Sequence, residues 1–307
     1  GVFFSLFSGK WLAEQDNWLA RLKKLSKEYQ FNHITEHFGF MTGQNFHNGA
    51  PISIPFTAST LALGIDRLKR IQDVCRCPVG LENLAFSYSI QEVRTQGDFL
   101  HQLIEPLNGF IILDLHNLYC QLHNFEVSYE EIIAFYPLER VREIHISGGS
   151  WEAVSALPTK KIRRDTHDDT VPKTVFELLK KTIPKCPNLK YVVLEQLSNG
   201  LETLESQQAF QSDFVQLEQL IAAATINTLT QNSFLPPSFA TLSLPPLEDT
   251  VLYSQQQQLS TILETAQTYQ HAQQLLQQSS LANSPWQIEH WQPAMLETAV
   301  AIAQKWR

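Results

Sequence analysis

The sequence predicts an α/β fold of the TIM-type (β/α) barrel, and two observations carry that prediction. Strand-like and helix-like segments alternate along the first 200 residues, the order that builds a parallel sheet covered by helices. Five of these segments are short apolar runs, rich in β-branched and aromatic residues, as strands buried on both faces are. With 307 residues, 43% of them hydrophobic, the chain can bury a large core.

The predicted elements follow one another along the chain in the order of a barrel wall. We place the strands at 31–37, 79–83, 110–114, 141–145 and 191–195. Between them, apolar residues at helical spacing predict helices over 18–25 and 60–74, and over 173–180 behind Pro172. The pattern therefore indicates repeated β/α units.

The strand count falls short of a closed barrel, which needs eight strands. Besides the five strands there is only a partial candidate at Val2–Leu6, so we expect the chain to lack the first strands of the barrel, which would precede Gly1. An uncovered sheet edge invites pairing with other chains. We therefore expect the helices after Leu201, or a second copy of the chain, to cover it, with Val2–Leu6 beside the strand ending at His37.

A composition shift near residue 204 predicts a second region. All twelve glycines lie at or before Gly200, and the chain beyond is rich in glutamine and helical in pattern. We divide the chain into a metal-binding β/α barrel, 1–204, and a Gln-rich acidic helical extension, 205–307. The glutamine run at 255–258 is flanked by leucines at helical spacing, so we interpret it as a solvated helix face.

Charge and apolar patterning exclude several classes of partner. From Leu201 onward there are 9 acidic and 2 basic residues, which disfavours nucleic acid and anionic membranes as partners. No run of 18 apolar residues occurs, and the apolar start lacks the basic segment of a signal peptide. The four cysteines form no CxxC pair, so we expect reduced thiols in a cytoplasmic protein.

Each predicted strand ends in a side chain that can bind a metal ion. These residues are His37, Glu82, Asp114, His145 and Glu195. In a (β/α) barrel, the C-terminal ends of the strands converge on one face, where active sites lie. A carboxylate buried there costs several kcal/mol, in order of magnitude, unless a cation or a hydrogen-bond donor meets it. The joint placement predicts a metal-dependent enzyme.

Three further residues extend the candidate site. Asp165 and His167 stand two apart in a segment we expect to be extended, so both project to the same side, and Asn117 follows Asp114 closely enough to offer a carbonyl ligand or to orient it. Eight nitrogen and oxygen ligands exceed what one ion needs and suit Fe, Mn or Zn. Taken singly, each residue has a structural alternative, such as a core histidine or a loop carboxylate. His33 and His116 are assigned to such structural roles.

Six short motifs stand in order along the first 204 residues. They are Thr35-Glu36-His37, Leu81-Glu82-Asn83, Leu113-Asp114-Leu115-His116-Asn117, His145-Ile146-Ser147-Gly148, Asp165-Thr166-His167 and Leu194-Glu195-Gln196-Leu197. In these motifs the chain resembles the multinuclear non-heme iron-dependent oxidative enzymes, long catalogued as a domain of unknown function and including the catalytic subunit of methanobactin biosynthesis.

The resemblance implies a centre of two or three iron ions that activates dioxygen. It also implies a cysteine-containing peptide substrate, often presented by a partner protein. The chain departs from the family pattern at three points: a metal-binding histidine would fall before Gly1, His116 stands where the family has the first asparagine of a pair, and Gln196-Leu197 replaces Trp-Asp.

Two other function classes stay open from the sequence. One is a metal-dependent hydrolase or isomerase of the xylose-isomerase or endonuclease type, which rests on analogy between barrels alone. The other is a non-catalytic metal-binding scaffold with the acidic helices as its docking surface. A homo-oligomer is compatible with each of these readings.

Overall fold

The computed structural model describes residues 4–41, 51–224, 232–239, 242 and 244–305. The strands in these ranges are β1 (Ile34–His37), β2 (Phe40–Met41), β3 (Pro51–Ile52), β4 (Val79–Glu82), β5 (Phe110–Asp114), β6 (Val141–Ser147), β7 (Trp151–Ala153), β8 (Lys161–Arg163) and β9 (Tyr191–Glu195). The α-helices are α1 (Ala13–Glu28), α2 (Ala58–Cys75), α3 (Ile90–Ile104), α4 (Leu115–Phe125), α5 (Tyr129–Ile133), α6 (Lys173–Thr182), α7 (Leu204–Ala223), α8 (Thr250–Thr265), α9 (Tyr269–Gln277) and α10 (Pro293–Lys305).

The central sheet has the strand order β1-β4-β5-β6-β9, and every neighbouring pair is parallel. These are the five strands that the sequence predicts, so the α/β, TIM-type fold class is confirmed. Three boundaries differ: β1 begins at Ile34 rather than at residue 31, β4 ends at Glu82 rather than at residue 83, and β6 continues to Ser147 rather than ending at residue 145. Helices connect the successive strands, and two antiparallel hairpins, β2–β3 and β7–β8, lie outside this sheet.

The sheet is strongly curled rather than flat. His33, just before β1, has its Nε2 atom 3.0 Å from Glu143 Oε2 on β6, and its ring centroid lies 5.5 Å from that of Tyr191 on β9. In a flat sheet, β1 and β6 would be separated by three strand spacings, about 14 Å. The strands therefore enclose part of a barrel interior, although β1 and β9 do not pair with each other within the described residues.

The N-terminal segment contacts both β1 and the C-terminal helix α8. The Phe4 backbone N–H donates to Glu36 Oε2 at 3.0 Å, which anchors the N-terminal segment on β1. Gln256 of α8 then accepts from the Gly9 N–H at 2.9 Å and donates to the Phe7 carbonyl at 2.6 Å. Helix α8 therefore packs on the N-terminal segment, and covering of the sheet edge by the C-terminal helices stays a prediction. Of the predicted edge strand, residues 4–6 do not form a strand, and Val2 lies outside the described residues.

The solvated-face interpretation of the glutamine run is wrong for two of its members. Gln256 is 0% exposed and Gln255 is 8% exposed. Gln255 accepts from the Trp286 indole N–H at 2.9 Å and donates to the Ser280 carbonyl at 3.0 Å. Both amides are buried because each satisfies polar groups that packing of the C-terminal helices would otherwise leave without partners.

Two expectations about the chain's surface and thiols can be compared with the structure. All four cysteines are buried and form no disulfide. Among the described helices, none has both the length and the apolar character that a membrane-crossing segment needs.

Candidate metal centre

Four strand-end residues bring ligand atoms together at the carboxyl end of the sheet. One atom from each of them lies within 4.8 Å of those of the others: Glu82, Asp114, His145 and Glu195. The parallel register explains the meeting, because Asp114 pairs with His145 and Glu195 pairs with Ser147, so β5 and β9 end within two residues of each other along β6. The sequence prediction that these side chains share one face describes their geometry correctly, while their role as ligands stays a prediction.

Asp114 is held rigidly by its neighbours. Its Oδ1 atom accepts from the Asn117 backbone N–H at 2.6 Å, which caps the N-terminus of α4. The Asn83 side chain accepts from the Asp114 N–H at 2.7 Å and donates to the Asp114 carbonyl at 3.1 Å, and so imitates a neighbouring strand. Burial and the charge of Asp165 raise the pKa of Asp114 to about 6. The carboxylate is therefore fixed before any ligand binds.

His145 presents one ring nitrogen to the cluster and uses the other to hold its orientation. Its Nε2 atom lies 2.7 Å from Glu143 Oε1, and its Nδ1 atom lies 3.3 Å from Glu195 Oε1 and 3.8 Å from Glu82 Oε1. Burial opposes ionisation of Glu143, but hydrogen bonds from His145 and His33 hold its pKa at about 2. A charged Glu143 keeps the proton on Nε2, which leaves Nδ1 to face the two carboxylates.

The donor set fits a divalent cation. Within the described part of the chain, Asp114 Oδ2 and Asn117 Oδ1 are buried without a hydrogen-bond partner, and His145 Nδ1 has only the Glu195 carboxylate, 3.3 Å away. Burial and the nearby Asp114 raise the pKa of Glu82 well above its usual range. Full ionisation of the clustered carboxylates is therefore unfavourable without a positive partner. A cation would satisfy both features at once, and the mixture of imidazole, carboxylate and amide oxygen suits Fe, Mn or Zn.

His37 and His167 flank the four residues and lengthen the site into a row. His37 Nε2 lies 3.7 Å from Glu82 Oε2 on one side, and His167 Nδ1 lies 3.7 Å from Glu195 Oε2 on the other. Burial lowers the pKa of His37, which favours the neutral ring that binds metals. Six side chains therefore form a continuous row of nitrogen and oxygen donors.

The segment with Asp165 and His167 is a loop after β8, so the prediction of an extended segment is wrong. His167 has φ 51°, in the left-handed region, which turns its ring back until Nε2 lies 2.8 Å from Asp165 Oδ1. Gly148, at the end of β6, lets this loop approach, because a Cβ there would collide with the carbonyls of Asp169 and Thr170. The two side chains meet through this turn rather than through strand alternation.

A second, internally paired group surrounds Asp165, and the sequence analysis missed two of its members. His116 is 0% exposed and its Nδ1 atom lies 2.9 Å from Asp165 Oδ1, while its Nε2 atom is 3.1 Å from Arg163 Nε. Because a guanidinium only donates, Nε2 must accept and Nδ1 must carry the hydrogen that Asp165 receives. Although burial opposes it, His116 and His167 hold the pKa of Asp165 below its usual range.

Glu143, His116 and Arg163 were not predicted as site residues, and they differ in whether the sequence carries a signal for their position. Glu143 stands two residues before His145 on one strand, and that alternation places both on the same side. His116 occupies the position of a family asparagine, which was a signal for the site. Arg163 had no such signal, because its position depends on the β7–β8 hairpin.

A cavity of about 350 Å³ opens above these groups. Seven of the eight predicted site residues line it: His37, Glu82, Asn117, His145, Asp165, His167 and Glu195. Asp114 lies beneath them and is fully buried. The Asn117 amide donates to the Asn83 carbonyl at 2.9 Å, which leaves its own oxygen toward the site.

Parallel β/α architecture with clustered nitrogen and oxygen ligands at the strand ends defines a metal-binding TIM-type protein. Residues 1–208 match the family model described as the RiPP precursor modification enzyme MbnB/TglH/ChrH, RiPP denoting a ribosomally made and modified peptide. The chain belongs to this family.

Sequence relatives match about half of the chain. The chain is 25% identical over 163 residues to a UPF0276 protein of Caulobacter vibrioides, covering 53% of this chain and 56% of that one. It is 26% identical over 159 residues to a UPF0276 protein of Shewanella loihica, covering 52% and 55%. The chain thus spans about half the length of the curated relatives it matches.

Two solved structures are also similar in outline. A xylose isomerase domain containing protein from Salmonella typhimurium has a TM-score of 0.45 and 11% identity, with 72% of this chain and 74% of that one covered. A xylose isomerase-like TIM barrel protein from Mycobacterium smegmatis, in complex with magnesium, has a TM-score of 0.43 and 14% identity, with 71% and 72% covered.

Proposed function

We propose that the protein is a non-heme iron-dependent oxidase that uses two or three iron ions and dioxygen to modify a cysteine-containing ribosomal peptide. Membership of a family of peptide-modifying enzymes supports the substrate class. The observation that carries the metal-dependent part is the cluster of Glu82, Asp114, His145 and Glu195, whose ligand atoms lie within 4.8 Å of one another. Iron, dioxygen and the cysteine substrate come from the motif resemblance.

In this proposal different groups of residues hold the different ions. Glu82, Asp114, His145 and Glu195 would hold the central ion. His37 with Glu82 serves one end of the row, and Asp165 with His167 serves the other, with Asn117 as a carbonyl ligand. When bound, ferrous iron supplies the electrons that activate dioxygen.

The protein's own groups prepare the site for this chemistry. Glu143 keeps His145 in the tautomer that offers Nδ1 to a metal, across a hydrogen bond of 2.7 Å. His116 donates to Asp165 at 2.9 Å and thereby fixes one carboxylate oxygen. The cavity of about 350 Å³ admits one or two side chains of a peptide but not a folded protein. A partner protein that presents the peptide completes the proposal.

Anaerobic iron loading followed by oxygen consumption tests this function. The full chain is loaded with Fe(II), its metal content is measured, and oxygen uptake is followed with a cysteine-containing peptide and with its serine counterpart. We expect uptake with the cysteine peptide alone, abolished in Asp114→Asn and retained in Glu130→Gln, a surface carboxylate that pairs with Lys181. Iron binding without cysteine-dependent uptake would contradict the oxidase and favour a hydrolase or a scaffold.

A further inference from the structure

Helix α10 crosses the mouth of the cavity above the metal centre. At its start, the Gln292 N–H donates to the Tyr88 carbonyl at 2.9 Å, and the Trp291 ring stacks on Tyr88 with centroids 3.7 Å apart. Tyr88 belongs to the loop that follows β4. Further along, Glu297 accepts from the backbone N–H of Ser155 at 2.9 Å, in the β7–β8 hairpin. The helix is therefore fastened to two loops on different sides of the mouth.

The cavity has two chemically different ends. The ligand residues form one end, the floor. We call the apolar part of the lining the wall; it consists of Leu84 and Phe86 from the loop after β4, Ile162 from β8, and Met295 and Ile302 from α10, and the polar residues Thr35, Asn124, Arg163 and Arg164 also line the cavity. The reacting group of a substrate must reach the floor, so the wall contacts whatever adjoins that group. Residues 293–305 lie beyond the region matched by the family model, which ends at 208.

Thr298 places an unused polar group on this apolar wall. Its side chain lines the cavity, the residue is 1% exposed, and its Oγ1 atom has no hydrogen-bond partner within the described residues. A helical threonine ordinarily satisfies its hydroxyl on the carbonyl three or four residues earlier. The Oγ1 atom is itself buried, so it keeps the cost of desolvation; rotation of the side chain about χ1 toward the cavity would let a ligand there supply the missing hydrogen bond.

We propose that α10 completes the peptide site: the Thr298 hydroxyl hydrogen-bonds the backbone of the bound peptide, and the wall around Met295 and Ile302 takes an apolar side chain adjoining the residue at the metal. This inference rests on the proposed peptide substrate. It specifies that the residue next to the one at the metal has an apolar side chain. The carbonyl or N–H of an extended peptide suits a hydroxyl that can donate or accept. An aliphatic or aromatic neighbour suits the apolar wall.

Peptide binding without turnover tests the subsite separately from the chemistry. Full-length, Fe(II)-loaded protein is titrated anaerobically with fluorescein-labelled five-residue peptides that carry one cysteine flanked by Val, Phe, Trp, Asp or Gly, and Kd is measured by anisotropy. We expect apolar flanks to bind more tightly than Asp or Gly. Thr298→Val, which keeps the shape, should weaken binding of every peptide roughly three- to tenfold. Thr298→Ser should stay within about twofold of the parent, since the hydroxyl is retained.

Two further variants make the outcome decisive. Met295→Ala shortens a side chain of the wall and so enlarges the cavity, which should shift the binding preference toward the peptide with the Trp flank. Ala301→Ser, at an exposed position of the same helix, should leave every Kd unchanged. The iron content of each variant is measured to show that the centre is intact. Equal Kd values for parent and Thr298→Val, indifference to the flank, or absence of binding by the parent would overturn the subsite. Flank-selective binding without oxygen uptake would instead leave the subsite standing and contradict the oxidase.

Discussion

The site has two halves that differ in how the negative charge of their carboxylates is balanced. Around Asp165, the acidic group is balanced, because His116 and His167 lie 2.9 and 2.8 Å from one of its oxygens and Arg163 holds His116 in turn. At the strand ends, the ligand atoms of Glu82, Asp114 and Glu195 cluster around the single histidine His145. Burial raises the pKa values of Glu82 and Asp114, with a further rise from the charge of Asp114 in the case of Glu82 and from the charge of Asp165 in the case of Asp114. The acidic group of the first half already has positive or hydrogen-bonding partners, whereas a bound cation would supply the positive charge that the second half lacks.

The largest effect should come from the second half, at the strand ends. Asp114→Asn keeps the shape but removes a buried negative ligand, so we expect metal affinity to fall by roughly a hundredfold or more, beyond the loss typical of outer partners. Elemental analysis after dialysis against a competing chelator measures it. Asp98→Asn, an exposed change of the same chemistry on α3, serves as the control. Unchanged metal content would remove Asp114 from the ligand set.

Asp165→Asn should lower metal binding less than Asp114→Asn does. Its partners can re-pair, since His116 and His167 keep a carbonyl oxygen to bond, and the central cluster retains all four of its residues. We expect the loss of one ion's occupancy, with the tighter ion still bound, in a titration that resolves stoichiometry. If both variants empty the protein to the same extent, the two halves form a single cooperative site and the comparison fails.

Glu143→Gln should lower metal affinity by a smaller factor than the two aspartate substitutions, because it acts only through His145. The amide no longer selects the tautomer with hydrogen on Nε2, so Nδ1 is less often available to the metal, and affinity should fall roughly tenfold. The reporting measurement is the Fe(II) dissociation constant, alongside the protein's unfolding temperature. A fall in unfolding temperature with unchanged metal affinity would assign Glu143 a structural role only.

The smallest effect is a pH dependence of the metal-free protein. His145 and His167 have pKa values raised to about 11 and about 9: burial opposes protonation, but their carboxylate partners outweigh it. Groups with raised pKa values stabilise the fold fully below their unfolded pKa, and that contribution is lost as pH rises toward the folded value. The unfolding temperature of metal-free protein should therefore fall between pH 7 and pH 9.

The metal-loaded form provides the contrast in that experiment. A bound ion replaces the protons on the ligand nitrogens, so its unfolding temperature should change less over the same interval. Differential scanning fluorimetry of both forms at matched ionic strength compares them. A metal-free protein that becomes more stable toward pH 9 would contradict the assigned pairing.

The sequence predicted those parts of the molecule that local pattern determines. The end of β5 at Asp114 and of β9 at Glu195 followed from an apolar run closed by one carboxylate, and parallel topology brought them together. The left-handed turn at His167 has no such signal, because that conformation typically marks glycine or asparagine. Arg163 and Gln256 act through contacts with distant segments, which residue spacing cannot reveal.

Anomalous scattering at the iron edge from crystals of anaerobically Fe(II)-loaded protein tests the central claim most directly. The account predicts the strongest peak between the side chains of Glu82, Asp114, His145 and Glu195, with ligand atoms within about 2.0–2.3 Å, and a weaker peak beside Asp165 and His167. Strand-end carboxylates that bond to water or lysine alone, with the iron peak elsewhere or absent, would contradict it.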